Sequence, residues 1–467
     1  MSGKATFGLI GLATMGENLV LNMLDRGISV SVYNRTTEKT KEFVRKTKKE
    51  NLCGSETIEG FCNSLASPRK ILLMVQAGAG VESVLSKLLP LLDKNDVVID
   101  GGNSNYADTE RRVKQFQEAG VFFLGCGISG GEEGARNGPA MMPGGDRRGW
   151  PAVGDLLRSI AAQADGSPCC EWIGDGGSGH FVKTVHNAIE YAEMQLISET
   201  YFVMKNLLGI SPVECSNVFE VWLSGELESY LLSITVKILR AGNGDLIEKI
   251  RDVARQKGTG HWFVVEAMGL GLATPTIAAA VSARHLSGMH AERKECSSLP
   301  KHPPGKTGEK EELLSTLKKA FCAARIVAHA EGFLVIQHTA KKHGWKLDYT
   351  AVCRVWKAGC IIRSALIKEI EAAYARNPDL GFLLADAGLK EKLEKNLPAL
   401  RKTVGISTGH ALPTPALSAA LSFIDGLAAR KLPTNLIQAQ RDFFGAHTYE
   451  LEGGEGVSVH TDWNVVS

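Results

Sequence analysis

The first third of the chain alternates short apolar runs with amphipathic segments. The apolar runs are TFGLIG, ISVSVYN, KILLMVQ, NDVVIDGG and VFFLGCG, and helical stretches such as ENLVLNMLDRG separate them. Strands that alternate with helices in this way form a parallel sheet whose faces are covered by crossover helices. We therefore predict a doubly wound α/β domain over residues 1–178.

The pattern changes after GDGGSG, at residues 174–179. Apolar residues then recur at spacings of three and four, as in AARIVAHAEGFLVIQHTAKKHG, which predicts a large all-helical domain over residues 179–435. Within it, the polar and proline-rich segment 290–312 is expected to form a surface loop. The predicted fold class is therefore α/β followed by all-α.

Residues 436–467 form the last predicted segment, because the helical period fades after QAQRDFF. This segment carries Phe443, Phe444, Tyr449 and Trp463, which are unfavourable on a free chain end. We expect a tail that docks on another surface.

The composition narrows the class of protein. A chain of 467 residues is long enough for two domains or more, and a formal charge of only +2 gives no general attraction to nucleic acids or membranes. Ten cysteines without a CxxC pair favour a reducing compartment. The chain starts directly with a strand and a glycine turn, and no run reaches the ~18 apolar residues of a membrane span. We expect a soluble, cytoplasmic protein.

The stretch FGLIGLATMGENL places Gly11, Ala13 and Gly16 as GxAxxG between the first strand and the first helix. Such a turn lets the backbone approach a pyrophosphate, whose charge then meets the free amides of the helix N-terminus. The glycine pattern alone is weak evidence, but a second strand follows at the proper distance. We predict a Rossmann-type dinucleotide site whose turn consists of Gly11, Leu12, Ala13, Thr14, Met15 and Gly16.

The second strand ends in Asn34, Arg35 and Thr36, where an NAD site usually has Asp or Glu. A carboxylate would repel a 2′-phosphate, whereas arginine holds it through charge-assisted hydrogen bonds. We therefore predict NADP as the cofactor. The alternative is that Arg35 is only a surface arginine after a strand.

Two further strand ends and a glycine-rich stretch point to the same crevice, since ligands of doubly wound sheets lie beyond the carboxyl ends of the strands. The stretch GCGISGGEEGARNGPAMMPGG exposes backbone amides that suit a carboxylate or a phosphate, although a flexible interdomain loop is the alternative. The candidate residues at these places are Val75, Gln76, Ala77, Asn103, Ser129, Gly130 and Gly131.

The stretch HFVKTVHNAIEY reads as a helix with one polar face. At about 100° per residue, its polar residues fall within an arc of about 140°, with apolar residues behind them. A solvated surface explains such a face as well as a site does, but the position directly after the glycine hinge favours a cleft. Ser178 is expected to cap the helix. The residues of the polar face are Lys183, His186, Asn187, Glu190 and Tyr191.

Lys183 and Glu190 are separated by about 10 Å along the helix axis and can address opposite ends of a small substrate. Their use as base and acid requires a neutral lysine and a protonated glutamic acid, and therefore surroundings that shift each pKa differently. The sequence shows only that the geometry permits this chemistry.

The motifs GLATMG, NRT, GGNS, GISGGEEGAR, MPGG, GHFVKTVHNAIEYAEMQL, QKGTGHW, CIIRS and QRDFFGAHTYE resemble, in order and spacing, the decarboxylating 6-phosphogluconate dehydrogenase family. The resemblance covers essentially the whole chain. It implies oxidation of 6-phosphogluconate at C3 with NADP, followed by loss of CO2 to give ribulose 5-phosphate and NADPH, without a metal. Lys183 matches the family's general base, and Glu190 matches the acid that protonates the enediol.

The resemblance also implies a homodimer with shared sites, because Arg441 and His447 match residues that the family's tail delivers into the neighbouring subunit. Lys257 and Arg284 match residues on the phosphate and hydroxyl side of the substrate. The departures are Gln76, where many members have lysine, Thr184 for methionine, and Ala188 and Ala192 for glycines. The other implied substrate contacts are Asn103, Ser129, Gly130, Gly131, His186, Asn187 and Tyr191.

Two other functions compete with this interpretation. A short-chain β-hydroxyacid dehydrogenase would share the glycine turn and the helix lysine but needs no phosphate site, and Lys257, Arg284 and Arg441 argue against it. An NADP-binding scaffold without chemistry is the second alternative. The presence of both Lys183 and Glu190 argues against that alternative.

Overall fold

The computed structural model describes residues 3–299 and 309–463. The chain divides between Ala420 and Leu421 into two compact units. The first unit contains an α/β part followed by a set of helices, as the sequence predicts. The predicted domain bounds 178/179 and 435/436 fall near the starts of two helices, Ser178–Leu208 and Thr434–Gly445, and stay predictions.

One mixed sheet of eight strands forms the centre of the α/β part, in the order β10-β7-β6-β5-β4-β1-β2-β3. All neighbours are parallel except β6 and β7, which pair antiparallel. Six neighbouring strands, in the order β3-β2-β1-β4-β5-β6, have the arrangement of a Rossmann-type sheet. The direction in which successive strands are added reverses between β1 and β4. A separate two-stranded hairpin contains β8 and β9. The strands are β1 Phe7–Ile10, β2 Val30–Tyr33, β3 Leu52–Ser55, β4 Lys70–Leu73, β5 Val97–Asp100, β6 Phe122–Ser129, β7 Ala140–Gly145, β8 Gln163–Ala164, β9 Ser167–Pro168 and β10 Gly174–Asp175.

Helices cover both faces of this sheet, because successive strand residues are buried on opposite sides. In β5, Val97 and Ile99 pack in the core that contains Leu19 of the first helix, whereas Val98 packs with Phe116 in the core on the other face. The helices of this part are α1 Thr14–Asp25, α2 Thr37–Thr47, α3 Ile58–Asn63, α4 Ala79–Leu88, α5 Tyr106–Glu118, α6 Gly131–Asn137 and α7 Trp150–Ile160.

The remainder of the first unit is helical, and α8 and α15 are its longest elements, with 31 and 34 residues. By length and composition α15 could cross a membrane, but 89% of its most apolar window is buried within the protein, as in a core helix. The helices are α8 Ser178–Leu208, α9 Pro212–Leu223, α10 Tyr230–Arg240, α11 Asp245–Lys249, α12 Thr259–Gly269, α13 Pro275–Gly288, α14 His290–Glu295, α15 Lys310–His343, α16 Tyr349–Trp356, α17 Ala365–Arg376 and α18 Ala387–Gly409, followed by α19 Pro415–Ala428, which begins in this unit and ends in the second.

The axes of α8 and α15 approach closely at Gly332. A Cβ atom at this position would lie 2.6 Å from Cδ1 of Ile189 and 3.2 Å from Cγ1 of Val185. Farther along the same contact, Arg325 Nε donates to Glu193 Oε1 at 2.9 Å, and both side chains are buried. His329 Nε2 lies 3.8 Å from the same carboxylate oxygen. A buried ion pair with a neighbouring histidine therefore lies within this helix contact.

A glutamate in each long helix also caps another helix. Glu331 of α15 accepts hydrogen bonds from the amides of Thr276 and Ile277 at the start of α13. Glu199 of α8 accepts from the amides of Ala416 and Leu417 at the start of α19. Each carboxylate satisfies amides that a helix N-terminus leaves free. Helix α15 is therefore joined to α13, and helix α8 is joined to α19.

The second unit contains helix α20, Thr434–Gly445, and the short antiparallel strands β11, Tyr449–Glu450, and β12, Ser458–Val459. Its centre is Asp442, whose buried carboxylate accepts hydrogen bonds from two backbone amides and from His460 Nδ1 and Trp463 Nε1. Burial alone would raise the pKa of Asp442, but these bonds outweigh it and lower the pKa to about 2. Tyr449 and Trp463 pack within this unit, whereas Phe443 and Phe444 are exposed.

The five predicted strands are confirmed, but the structure corrects two expectations and one of the alternatives. The sheet is not all parallel, since β7 runs against β6. The glycine-rich stretch after β6 is not a plain loop, because it contains α6 and β7. In segment 290–312, residues 290–295 form α14 and the chain enters α15 at Lys310, while residues 300–308 lie outside the described residues.

Candidate active site

The turn between β1 and α1 is tight at both of its glycines. Gly11 has φ +108°, and a Cβ atom there would lie 2.4 Å from the carbonyl oxygen of Met74, just beyond β4. A Cβ atom on Gly16 would lie 2.0 Å from the carbonyl oxygen of Gly11. The turn therefore lies at the reversal point of the strand order. The N-cap residue of α1, Ala13, makes no side-chain capping bond, which leaves the first amides of the helix for an anion.

Asn34 orders this turn from the end of β2. Its Oδ1 accepts from the amide of Leu12 at 3.0 Å, and its Nδ2 donates to the carbonyl oxygen of Thr36 at 3.2 Å. Arg35 is exposed and forms no ion pair with any residue in the described ranges. The end of β2 thus offers an unengaged guanidinium and no carboxylate, which fits a nucleotide with a 2′-phosphate.

The loops after β4 and β5 lie side by side. A Cβ atom on Gly102 would be 3.1 Å from the carbonyl oxygen of Val75. Gln76 and Asn103 are exposed, and Val75 and Ala77 are half-buried. These four predicted residues therefore lie beyond the carboxyl ends of two neighbouring strands, as the sequence predicts.

Asp100, which was not among the predicted site residues, stabilises the loop that contains Asn103. Asp100, at the end of β5, accepts from the amide of Gly102 at 3.0 Å and from Ser104 Oγ at 2.6 Å. Its carboxylate also pairs with Arg112 at 3.1 Å, and both side chains are fully buried. Only the proximity of Asp100 to the GGNS motif hinted at this role.

Five predicted residues form one polar cluster centred on His186. Lys183 Nζ lies 3.3 Å from His186 Nδ1, and Asn187 Oδ1 lies 3.1 Å from the same nitrogen. Glu190 Oε2 lies 3.8 Å from it. On the other side of the ring, His186 Nε2 lies 3.1 Å from Ser129 Oγ at the end of β6. If Nδ1 accepts from the lysine, Nε2 carries the ring proton and donates to Ser129, and Asn187 Oδ1 then receives no proton from Nδ1.

Burial sets the charges of this cluster. The Lys183 side chain is 6% exposed, and burial lowers its pKa to about 8, against the opposing effect of Glu190. Burial also raises the pKa of Glu190, whose side chain is 21% exposed. The pKa of His186 lies well below its ordinary value because of burial and the nearby lysine. The arrangement thus shifts Lys183 and His186 towards their neutral forms and Glu190 towards its protonated form.

The polar face of α8 is therefore not a solvated surface. Lys183 and Glu190 also do not point to opposite ends of a space, because both approach the same imidazole nitrogen. Their ends lie closer together than the axial separation of about 10 Å, because Lys183 Nζ and Glu190 Oε2 lie 3.3 and 3.8 Å from that one nitrogen. Ser178 does not cap the helix: Gly177 is the N-cap residue, and Ser178 Oγ is buried with no hydrogen-bond partner among the described residues.

Glycines create the space in which Lys183 and Ser129 lie. A Cβ atom on Gly127 of β6 would lie 2.3 Å from Cβ of Lys183, so only glycine lets the lysine stem pack against this strand. Gly130, with φ +120°, lies against the carbonyl oxygen of Gly359, while the position of Gly131 faces open space. The Trp356 ring packs against His186 with ring centres 5.9 Å apart. Gly127, Trp356 and Gly359 were not among the predicted site residues, because no local sequence pattern marks such contacts.

Tyr191 lies on α8, and the two predicted phosphate-side residues lie just before α12 and on α13. The guanidinium carbon of Arg284 lies 3.4 Å from the centre of the Tyr191 ring, a cation–π contact. Gly260, in the first turn of α12, lies against the same ring, since a Cβ atom there would be 2.7 Å from Tyr191 Cδ2. Lys257 precedes α12 and is exposed. Arg284 and the start of α12 therefore flank Tyr191 on the helix that carries Lys183.

Arg441 and His447 belong to the second unit, where both are exposed. Nη1 of Arg441 donates to Oε1 of Gln438 at 3.0 Å. Their predicted contact with a substrate stays a prediction.

A Rossmann-type sheet with a glycine turn at its reversal point, joined to helices that carry a buried lysine, defines a dinucleotide-dependent dehydrogenase. Residues 6–174 match the model of the NAD binding domain of 6-phosphogluconate dehydrogenase, and residues 179–463 match that of its C-terminal domain. The chain belongs to the 6-phosphogluconate dehydrogenase family.

Individual relatives match nearly the whole chain. The decarboxylating 6-phosphogluconate dehydrogenase of Drosophila melanogaster is 47% identical, over 99% of this chain and 97% of that protein. The NADP(+)-dependent, decarboxylating enzyme of Bacillus subtilis is 46% identical, over 98% and 99%. The solved 6-phosphogluconate dehydrogenase of Plasmodium falciparum, studied alone, with NADP+ and with 6-phosphogluconate, is 39% identical with a TM-score of 0.93, over 98% and 100% of the two chains.

Proposed function

We propose that the protein oxidises and decarboxylates 6-phosphogluconate with NADP, and releases ribulose 5-phosphate, CO2 and NADPH. The observation that carries the proposal is the buried Lys183, whose pKa is lowered to about 8 next to Ser129, His186 and Glu190. A base of this kind is required to remove a hydroxyl proton from a substrate at neutral pH. The proposal agrees with the activity of relatives that match the chain over almost its full length.

The cofactor NADP fits the residues at the reversal point of the sheet. The turn from Gly11 to Gly16 leaves the first amides of α1 for the pyrophosphate, and Arg35 provides the charge for the 2′-phosphate. When it is bound, NADP accepts the hydride that leaves C3 of the substrate. In this proposal Asn34, Thr36, Val75, Gln76, Ala77 and Asn103 line the rest of its path.

The substrate is proposed to lie between β6 and α8. The free amides near Gly131 and the side chains of Ser129, Asn187 and His186 suit its carboxylate and hydroxyl groups. Lys257 and Arg284 suit its phosphate, because both are cations beside the ring of Tyr191 or the adjacent start of α12. The partner subunit's Arg441 and the partner subunit's His447 would complete the phosphate site in a homodimer. We also propose that the enzyme works in the cytoplasm.

Lys183 performs the proton transfers of the first stage. Its neutral amine takes the proton of the C3 hydroxyl group while the hydride leaves, so that C3 becomes a ketone. The resulting ammonium then lies beside the ketone oxygen. The C–C bond to the carboxylate breaks, CO2 leaves, and the electron pair of that bond forms an enediol whose oxygen receives the proton from Lys183. The β-keto position of the carboxylate makes this step possible without a metal.

Glu190 serves the second stage. Its raised pKa keeps a proton available, and that proton goes to C1 of the enediol to give ribulose 5-phosphate. At the same time the enediol hydroxyl on the carbon that was C3 of the substrate becomes the ketone of the product, and its proton returns to Lys183. The proton taken from substrate and the proton given to product balance, so the enzyme regains its starting state when Lys183 gives its proton to Glu190. His186 lies between the two side chains and separates their charges.

The experiment that tests this function measures CO2 and NADPH released from 6-phosphogluconate, with NAD in place of NADP and with unphosphorylated gluconate as controls. Equal amounts of CO2 and NADPH are expected, with a strong preference for the phosphorylated substrate. NADPH without CO2 would indicate a simple β-hydroxyacid dehydrogenase. NADP binding without turnover would indicate a scaffold and refute the proposal.

A further inference from the structure

Tyr106 connects the α/β part to the helices through its hydroxyl group. It is the first residue of α5 and follows Asn103 by three positions. Its hydroxyl donates to Glu266 Oε2 of α12 at 2.7 Å, and Glu266 Oε1 pairs with Nζ of Lys342 at 3.0 Å near the end of α15. The Glu266 side chain is only 15% exposed, so water competes weakly for these bonds.

An aromatic cluster fixes the ring of Tyr106 at the same junction. The ring packs edge-on against Phe181, His343 and Trp345, with ring centres 5.0, 5.4 and 5.9 Å apart. Glu110, one turn farther along α5, accepts from Trp345 Nε1 at 2.9 Å and from the amide of Gly177, the N-cap residue of α8, at 2.7 Å. The start of α5 is therefore joined to α8, α12 and α15 by side chains with defined geometry.

Each of these elements carries one part of the proposed site. The loop before α5 carries Asn103, and α8 carries Lys183 two residues after Phe181. Helix α12 carries Glu266 two turns after its first residue, and Lys257 directly precedes that helix. Because a helix moves as a rigid rod, a shift at Glu266 moves the start of α12 as well.

We propose that the hydrogen bond between Tyr106 and Glu266 positions the cofactor side of the site relative to the substrate side, and so couples the binding of NADP to the binding of 6-phosphogluconate. This inference rests on the proposed function. Tyr106 and Glu266 are positioning residues, since they act through the loop of Asn103 and through α12. Hydride transfer depends steeply on the distance between the nicotinamide ring and C3 of the substrate, whereas the binding of either ligand alone does not.

The test compares Tyr106→Phe, Glu266→Gln and the double variant with the wild-type enzyme. Tyr106→Phe keeps the ring in its cluster and removes only the hydroxyl group. We expect the Kd of each ligand alone to change less than about twofold, while kcat falls on the order of tenfold. The deuterium isotope effect on kcat, measured with substrate deuterated at C3, should increase because hydride transfer becomes more limiting. The double variant should lose no more than either single variant.

Tyr201→Phe is the matched control. The Tyr201 hydroxyl also donates to a glutamate, Glu248 at 3.3 Å, but within the helices and away from this junction. It should leave kcat and the isotope effect unchanged. Calorimetry supplies a second readout: in the wild-type enzyme each ligand should tighten the binding of the other, and Tyr106→Phe should reduce this mutual effect.

Three outcomes would overturn the proposal: an unchanged isotope effect in Tyr106→Phe, additive losses in the double variant, or mutual binding effects equal to those of the wild-type protein. A loss of thermal stability with none of the kinetic changes would indicate a purely structural contact and would also overturn it. A wild-type protein that does not turn over 6-phosphogluconate would refute the proposed function itself. That result is separate, because it appears before any variant is compared.

Discussion

Replacing Lys183 by methionine should abolish turnover and yet make the folded protein more stable. Methionine keeps an unbranched side chain of similar length in the space next to Gly127 and removes only the amine. Without the base, we expect kcat to fall by at least about 10²–10⁴-fold. NADP binding should persist, since the proposed cofactor contacts lie on other elements.

The gain in stability follows from the pKa of Lys183. Burial lowers it from 10.5 to about 8, and at about 1.4 kcal/mol per unit the buried ammonium costs roughly 3 kcal/mol at pH 7. Loss of the contact with His186 offsets about 1 kcal/mol of this. Between pH 8 and 10.5 the unfolded chain binds more protons than the folded one, so the stability of the wild-type protein rises with pH over this range. The advantage of the variant should therefore be about 2 kcal/mol at pH 7 and disappear near pH 10.

The assay is urea unfolding of both proteins at pH 7 and pH 10. Lys357→Met is the matched control, because Lys357 is also largely buried but is paired with Asp165 and Glu371. These partners and burial act in opposite directions, and together they raise the pKa of Lys357. The control should therefore lose stability at pH 7. A Lys183→Met protein that is less stable than wild type at pH 7, or that differs from it equally at both pH values, would refute the reasoning.

Three further changes test other parts of the structure. Arg35→Ala should weaken NADP binding on the order of tenfold and leave NAD binding unchanged, as measured by calorimetry with each nucleotide. Gly11→Ala should destabilise the protein by about 2 kcal/mol or more in urea unfolding, because of its positive φ and the clash with the carbonyl oxygen of Met74. Asp442→Ala should expose the segment after α20 to limited proteolysis, while cleavage elsewhere stays at the wild-type level.

The sequence predicts well those elements whose signal is local. The runs that form β1, β2, β4, β5 and β6 are apolar because both of their faces are buried, and periodicity finds them. Strand β7, Ala140–Gly145, is missed because AMMPGG contains a proline and two glycines. Those glycines are required by the fold: a Cβ atom at Gly144 would lie 2.5 Å from Ser178 Oγ, and one at Gly145 would lie 2.5 Å from the carbonyl oxygen of Phe123.

The polar face of α8 is likewise predicted by its spacing, but its chemistry is not. Only the packed structure shows that Lys183 is buried and that its pKa falls. The contacts of Gly127 and Trp356 that create this environment come from distant parts of the chain. A similar limit applies to two stretches of like sequence, LATPTIAAAV at 272–281 and LPTPALSAAL at 412–421. The structure explains their similarity, because they form the starts of α13 and α19, which Glu331 and Glu199 cap in the same way.

The buried pair of Glu193 and Arg325 has a consequence for how this sequence can change over time. Loss of either partner leaves the other charge buried and alone, at a cost of about 3–5 kcal/mol, whereas an apolar pair of similar volume in both places is about neutral. Evolution can therefore replace this pair in two ways. Both substitutions occur together, or one occurs first and gives an intermediate protein that folds poorly. The helix that carries Lys183 should thus show strong epistasis at Glu193, a position outside the proposed site.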